Sequence, residues 1–490
     1  MNRLQQATRA CLSLLILAGC LSGCVTQPPT SVDAAPPAQW YAPLPHDGKL
    51  TDLTQWWQQQ GDPLLVELIT AAEAVSPTVA AAQSRLEQAR ASRAEAVASF
   101  LPTLDASVSA TRANGQPLAL PTGTTVRRSL TTSWETDLFG GARTYWRGTI
   151  ARHEGAQAGW HDARVSVAAE TANQYYEQRA CEQLARITRA DADSRAETAR
   201  LSELSAKAGF TAPATAALAR AAAAEGNGRA VQQQAQCDLG VKALVALTAI
   251  NETDLRKKFA AHPITSTAPS ADATIAIDSL PANILAQRPD VFAADAEVAA
   301  ASADVGAARA QRYPRLRLLG SIGRTRFMSN DLNFANDTWS FGPLSISLPL
   351  FDGGKRTAQI DAAQARYEEA VAQYRAKVRQ AVREVEEALV NLHSTALRSI
   401  DAQTAVDGYR ASFAGTESRY QTGLASLVEL EESRRTRLAA ETAQVTLQRE
   451  RQAAWVALYR AAGGGWSRPT SDVVGLRQHE HNNDGQDKHD

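Results

Sequence analysis

The sequence predicts a mixed fold of long α-helices and membrane β-strands, built from two structural repeats. Two long intervals without proline, residues 122–212 and 350–468, favour uninterrupted helices because proline is excluded from helix interiors. Shorter segments that precede each expected long helix alternate apolar and polar residues with the period of a β-strand. Landmarks also recur at one offset of 212 residues: Pro77 and Pro289, Pro102 and Pro314, Phe139 and Phe351.

Composition and charge exclude several classes of protein. The 490 residues carry 51 basic and 52 acidic side chains, a balance that argues against nucleic-acid binding through bulk electrostatics. Hydrophobic residues make up 44% of the chain without an apolar run of about 18, so a helical membrane protein is not expected. The sequence lacks a Gly-x-Ser-x-Gly elbow, a Walker phosphate loop and a His-Glu-x-x-His motif. We therefore expect neither an enzyme nor a cofactor.

Residues 1–23 have the layout of a secretory signal peptide. Arg3 and Arg9 precede a short apolar stretch that is followed by small residues. The tetrapeptide that ends at Cys24 resembles a bacterial lipobox, in which the cysteine is lipidated. Cys20 fits the same pattern and is the alternative. We prefer Cys24 because a polar, proline-rich stretch begins directly after it, so residues 24–50 are expected to be a lipid-anchored tether.

The first repeat is expected over residues 51–260. Gly209 breaks its proline-free interval and separates a long helix from a shorter one. At about 1.5 Å per residue the long helix would reach about 100 Å, so it needs lateral partners, as in a coiled coil. The expected elements are a helix at about 62–99, strands at about 101–112 and 127–138, a long helix at about 142–207 and a helix at about 212–250.

The second repeat is expected over residues 281–466, after a linker at 261–280. Its strands are expected at about 314–327 and 338–350, its long helix at about 354–420 and its last helix at about 425–462. Residues 467–490 are expected to be a polar, disordered tail. Its histidines, His479, His481 and His489, could bind a divalent metal with nearby aspartates, but a solvated tail is favoured and no metal site is predicted.

The alternating segments predict strands with one apolar face. Leu104, Ala106 and Val108 alternate with polar residues, and the second repeat has the same pattern. Polar loops near 113–125 and 329–337 join the strands of each pair, which indicates hairpins with exposed tips.

Four strands cannot close a barrel, because closure around a packed core needs about eight. Several chains must therefore contribute. Three chains supply twelve strands, each long enough to cross a bilayer when tilted, with apolar residues facing lipid. The sequence thus predicts a trimeric 12-stranded β-barrel continuous with a long α-helical coiled-coil tunnel.

Cys181 and Cys237 are expected to form a disulfide. Export places the chain in an oxidising compartment. Each cysteine lies 28 residues from Gly209, so in an antiparallel helix pair that turns at this glycine the two lie at the same height. The alternative is two buried thiols that face different neighbours.

A series of motifs resembles the TolC-like outer-membrane efflux factors, in particular the lipoprotein NodT subgroup. The motifs occur in order over about residues 50–466: Trp56-Trp57, Asp62-Pro63-Leu64, Arg288-Pro289-Asp290-Val291, Leu350-Phe351-Asp352-Gly353-Gly354 and Tyr420-Gln421-Thr422-Gly423-Leu424. The resemblance implies a homotrimeric channel in the outer-membrane lipid that passively conducts substrates out of the cell, with its tunnel in the periplasm. It also implies two partners, a periplasmic adaptor (membrane fusion) protein and an inner-membrane transporter of the resistance-nodulation-division (RND) type.

The residues after Gly423 correspond to the periplasmic aperture of that family. Val428 and Glu432 fall on the positions expected to form the gate, and Glu429 is adjacent. Three copies of Glu432 would form an acidic ring that disfavours anions. The alternative is a solvated glutamate on an ordinary helix face.

The competing function is a periplasm-spanning coiled-coil lipoprotein without a pore. The paired alternating strands distinguish the two functions, because a scaffold has no need for amphipathic hairpins between its helices.

Overall fold

The computed structural model describes residues 29–34, 36–37, 39–42, 56–115, 120–263, 281–330 and 332–468. Within these ranges the strands are β1 (Thr103–Gly115), β2 (Leu120–Thr136), β3 (Arg315–Met328) and β4 (Asn333–Ser347). The helices are α1 (Trp56–Gln59), α2 (Pro63–Val75), α3 (Pro77–Ala98), α4 (Gly141–Lys207), α5 (Pro213–Thr248), α6 (Glu252–Ala261), α7 (Pro281–Ala286), α8 (Pro289–Ala310), α9 (Lys355–Gln421) and α10 (Leu427–Ala461). The signal peptide with Cys20 and Cys24, and the tail from residue 469, lie outside the described residues.

The chain divides into two compact units. The sheet unit comprises Met1–Ala34, Arg85–Gln157 and Ala293–Arg375, and the helical unit comprises Ala35–Ser84, Ala158–Phe292 and Ala376–Asp490. The helices α4 and α9, each 67 residues long, contribute to both units.

Four antiparallel strands form one sheet in the order β1-β2-β3-β4. Its register aligns Ala106 with Leu130, Leu130 with Ile322, and Ile322 with Trp339, so apolar positions of all four strands share one face. Polar positions share the other face, where the Ser107 and Ser129 hydroxyl oxygens lie 2.9 Å apart. On the apolar face the following side chains are between 40% and 83% exposed: Leu104, Val108, Leu130, Trp134, Ile322, Trp339, Phe341, Leu344 and Ile346.

The strands extend farther toward the hairpin tips than the sequence predicts. β2 begins at Leu120 instead of about residue 127, and β4 begins at Asn333 instead of about residue 338. The added part of β2 is a threonine-rich segment that reads as a polar loop, and it is paired across the sheet, for example Thr124 with Met328. Threonine favours strands, and pairing satisfies backbone groups that a loop would leave to water.

The single helix predicted at about 62–99 is wrong, because the chain is broken at Ser76. The backbone of Ser76 is extended, at φ −64° and ψ 123°, and α2 and α3 meet at an angle of 51°. Pro77 explains the break, since a proline disfavours helical backbone at the preceding residue. Among the described residues this bent pair reaches the length and apolar composition of a membrane span, whereas no single helix does.

The helical unit has an aromatic and aliphatic core. Trp56 stacks on Tyr459 with ring centroids 5.1 Å apart, and Leu64 and Leu65 of α2 are fully buried beside them. Asp62 caps α2 by accepting hydrogen bonds from the Leu64 and Leu65 backbone N–H groups at 3.1 and 3.2 Å. The Trp-Trp and Asp-Pro-Leu motifs are therefore packing and capping residues.

Arg288 ties three elements of the helical unit together. Its guanidinium donates hydrogen bonds to Asp290 at 2.8 Å, Glu384 at 2.7 Å and the Ala461 carbonyl at 3.0 Å. Burial opposes the charged form of Asp290, but the hydrogen bond and charge of Arg288 outweigh it and lower the pKa of that carboxyl.

Part of the predicted tether is docked on the helical unit. Trp40 and Ala42 are buried in its core. The Glu386 carboxylate accepts hydrogen bonds from the Tyr41 and Ala42 backbone N–H groups at 2.6 and 2.8 Å. In the sheet unit, Val32 packs against an apolar cluster that includes Tyr367. The proline-rich stretch is thus bound to folded structure at these points.

Candidate functional site

The turn between α9 and α10 places the predicted gate residues. Gly423 has φ +76°, a left-handed conformation that ends α9, and the Leu424 N–H donates to the Arg419 carbonyl at 2.7 Å. Ser426 then caps α10: its hydroxyl accepts from the Glu429 N–H at 3.2 Å, and the Glu429 carboxylate accepts from the Ser426 N–H at 2.7 Å.

Glu429 therefore has a local role at the start of α10. Its hydrogen bonds with the Ser426 backbone and hydroxyl lower the pKa of the Glu429 carboxyl, and the charge of Arg419 adds to the effect. The Glu429 carboxylate is hydrogen-bonded to the Ser426 N–H. Val428 and Glu432 are therefore the better candidates for side chains that face a passage.

Val428 and Glu432 line one shallow groove between α9 and α10. The Val428 side chain is 65% exposed, although the helix buries Leu427 and Leu430 on its other side. Glu432 is also exposed, and its carboxylate accepts a hydrogen bond from Arg435 at 2.7 Å. Glu429 also lines this groove, and the rest of it consists of small polar side chains and one aromatic ring: Tyr409, Ser412, Thr416, Ser433 and Thr436.

The corresponding turn of the first repeat is built differently. Gly209 has φ +79°, and the Phe210 N–H donates to the Ser205 carbonyl at 2.9 Å, as at the second turn. The residue before α5 is Ala212, which offers no side-chain cap, and Pro213 occupies the first helical position. This turn presents no acidic side chain.

A buried charged side chain, two residues beyond Glu432, fastens α10 to α4. Arg434 is only 2% exposed. Its guanidinium donates to Glu431 at 2.8 Å on its own helix, and to the Ser194 and Thr198 hydroxyls of α4 at 2.9 and 2.7 Å. Every one of these partners is at least partly buried.

A second arginine extends this network. Arg195 of α4 donates to Asp191 at 2.8 Å, and its guanidinium also contacts the Glu431 carboxylate of α10. Two guanidinium groups thus share two carboxylates across the two helices, and we call Asp191, Arg195, Glu431 and Arg434 the buried quartet. Burial removes these charges from water, so the quartet is stable only while each charge keeps its partner.

Sequence analysis did not identify the buried quartet. Residues 431–437 contain five charged side chains, a density that is typical of a solvated helix face. The signal that could have revealed Arg434 is its spacing from Leu427 and Leu430, since positions i, i+3 and i+7 share one helix face.

The cysteines lie together on α4 and α5. Cys181 and Cys237 are joined in a disulfide, with their Cα atoms 5.5 Å apart and a sequence separation of 56. Both are buried. The histidines of the tail, for which no metal site is predicted, lie outside the described residues. Within the described ranges no group of three or more His, Cys, Asp or Glu side chains could hold a metal ion.

Comparison with known proteins gives a consistent result over most of the chain. The family profile described as outer membrane efflux protein matches residues 68–249 and 280–464. The pyoverdine export outer membrane protein OpmQ of Pseudomonas aeruginosa is 30% identical over 483 residues, which cover 95% of this chain and 98% of OpmQ. The solvent efflux pump outer membrane protein SrpC of Pseudomonas putida is 30% identical over 465 residues, covering 91% and 96%. Among solved structures, the outer-membrane channel OprN superposes with a TM-score of 0.75 at 27% identity, covering 90% of this chain and all of OprN.

Proposed function

The chain belongs to the outer membrane efflux protein family and acts as an outer-membrane efflux channel, and we propose that three copies form one pore. A single chain supplies four strands, whereas a closed barrel needs about eight or more. Three chains would supply twelve. The observation that carries this proposal is the sheet face on which nine large apolar side chains are exposed. Lipid would cover that face, while the serine-rich face would line the pore.

The gate proposal rests on the groove at the start of α10. Three copies of Val428 and Glu432 would narrow the passage with an apolar and an acidic ring, and the acidic ring would disfavour anions. The exposure of Val428 supports this assignment, because an apolar side chain exposed in the single chain is available for contact with symmetry-related copies.

The partners are proposed from the family. The channel would receive substrates from a periplasmic adaptor protein and an inner-membrane transporter of the RND type, whose energy this chain does not capture. The helical unit would face the periplasm. Lipidation at Cys24, or alternatively at Cys20, would add an anchor in the outer membrane.

Single-channel conductance in planar bilayers tests the pore and the gate together. Wild-type trimers are expected to show small, mostly closed conductance that rises several-fold in V428A/E432A. The matched control is E225A, because Glu225 is an exposed glutamate of α5 that pairs with Arg229 as Glu432 pairs with Arg435. Its conductance should equal that of the wild type.

Two other results would contradict the proposal. Trimeric, membrane-inserted protein without conductance in any form would favour the coiled-coil scaffold. Equal conductance in the wild type and V428A/E432A would place the gate elsewhere.

A further inference from the structure

We propose that a basic patch on the apolar face of the sheet, toward the hairpin tips, binds a phosphorylated lipid of the outer membrane. The patch consists of Arg112, Arg128, Arg324 and Arg326. The inference rests on the proposed pore, because it requires this face of the sheet to meet lipid.

The strand register places these arginines on the apolar face. Val108 of β1 pairs with Arg128 of β2, Arg128 pairs with Arg324 of β3, and Arg324 pairs with Asp337 of β4. This row lies two residues beyond the Leu130 and Ile322 row. Side chains two residues apart on a strand share a face, so the guanidinium groups project on the same side as the apolar band.

The patch has an excess of positive charge. Arg128 and Arg324 lie directly opposite each other, and like charges at paired positions destabilise a sheet. Asp337 is the one carboxylate of this face and row within the described residues, and it lies 3.5 Å from Arg324. Among the described residues Arg128 has no carboxylate partner.

Two more arginines lie on this face closer to the tips. Arg326 pairs in register with Val126, and its Nε donates to the Asn333 side-chain oxygen at 3.3 Å. Arg112 pairs in register with Thr124. In the described part of this region the apolar face thus carries four guanidinium groups and one carboxylate.

Arginines near the opposite end of the sheet have an acidic partner. Arg317 donates to Glu135 at 3.0 Å, and Arg315 lies 4.0 Å from the same carboxylate. These residues belong to the polar face. The patch differs from them because, among the described residues, only Arg324 of its four arginines is paired with a carboxylate.

An amphiphile fits this surface better than a soluble anion. Val108, Leu130 and Ile322 form an apolar floor in a shallow concavity, and Arg128 and Arg324 border it. A guanidinium donates two parallel hydrogen bonds to a phosphate, which matches a lipid headgroup above acyl chains. Arginine on a lipid-facing strand is costly at the bilayer centre and tolerated at the interface, so the patch fits the headgroup level.

Lipid binding to the full-length trimer tests the proposal. Wild-type protein is first shown to conduct in bilayers, so that failure of the pore is recognised separately. Detergent-solubilised trimer is then titrated with bis-phosphorylated lipid A, and bound lipid is counted by native mass spectrometry. We expect R128Q/R324Q to weaken binding about tenfold or more.

The matched control is R127Q, because Arg127 is adjacent in sequence and belongs to the polar face of the sheet. It should bind lipid A as the wild type does, and D337N should bind more tightly because it removes the local negative charge. Equal binding by R128Q/R324Q and the wild type would overturn the proposal. So would equal binding of fully dephosphorylated lipid A. Saturable binding of inorganic phosphate alone with the same arginine dependence would make this a free-anion site and would overturn the lipid assignment.

Discussion

The two helix pairs, α4–α5 and α9–α10, have the same arrangement but are stabilised by different interactions. α4 and α5 turn at Gly209, α9 and α10 turn at Gly423, and both glycines have positive φ. The first pair is cross-linked by the Cys181–Cys237 disulfide. The second pair contains no cysteine, and its α10 is instead fastened to α4 by the buried quartet.

This difference separates a covalent attachment from a reversible one. A disulfide persists through changes of pH and salt, whereas a buried ion network is lost when one charge loses its partner. The reversible attachment lies on the helix that carries Val428 and Glu432. We therefore expect opening at the start of α10 to leave the cross-link between α4 and α5 in place.

Among the substitutions considered, removal of Arg434 should cause the largest loss of local stability. R434A leaves buried hydroxyls and Glu431 short of a partner, which should reduce the free energy of local opening by about 3–5 kcal/mol. Hydrogen exchange of α10 amides in the intact trimer measures this quantity. The control is R435A, because Arg435 is adjacent but 73% exposed, so its loss should have a much smaller effect on the same amides. Equal effects of the two substitutions would refute the role of the buried quartet.

Removal of the disulfide should be next in size and confined to the other pair. C181S/C237S should reduce the free energy of opening of neighbouring α4 and α5 amides by about 2–4 kcal/mol, because the cross-link closes a long loop. Amides at the start of α10 should be unaffected. Mass spectrometry of non-reduced peptides must first find the bond, and two free thiols in the wild type would remove the basis of the comparison.

The helix caps offer a smaller, reciprocal test. S426A should destabilise the first turn of α10 by about 1 kcal/mol, because it removes the hydroxyl that caps the Glu429 N–H. A212S should stabilise the first turn of α5, since Ala212 already has the extended backbone of a capping residue, at φ −64° and ψ 140°. Hydrogen exchange of the two first turns gives both values. No change in either variant would mean that the caps do not distinguish the turns.

The pH dependence of the α10 cap should be the smallest effect. The pKa of Glu429 is lowered in the folded chain, so its contribution is present above the ordinary carboxyl range and is lost as pH falls through the lowered value. Exchange at the first turn of α10 should therefore differ between wild type and E429A at neutral pH and converge in acid. A difference that persists at the lowest pH would assign the effect to something other than ionisation.

The sequence predicts those elements that depend on local backbone chemistry. α4 and α9 each contain no proline, and each ends shortly before a glycine that breaks the helix. Both helices lie within about one residue of the predicted bounds. The apolar face of the sheet follows from alternation alone. Val428 and Glu432 lie in one groove because they are one helical turn apart.

What the sequence could not supply depends on contacts between distant segments. Arg434 shares a helix face with Leu427 and Leu430, but its partners Ser194 and Thr198 lie on α4, more than 200 residues earlier in the sequence. In the sequence, Glu386 is likewise indistinguishable from neighbouring acidic residues. Its carboxylate accepts hydrogen bonds from the distant Tyr41 and Ala42 N–H groups, which only the structure shows. Both cases concern charged side chains whose partners lie on segments distant in sequence, which local patterns do not identify.

The docked N-terminal segment has a consequence for how protomers find one another. Val32 is the eighth residue after Cys24, and at about 3.5 Å per residue this stretch spans no more than about 28 Å. With acyl chains on Cys24, a protomer would be confined to a thin layer against the membrane before its sheet meets two others. Confinement to a surface raises the effective concentration of the unpaired β1 and β4 edges. The lipid-anchored tether would thereby favour assembly of the trimer over incorrect pairing of the β1 and β4 edges in the periplasm.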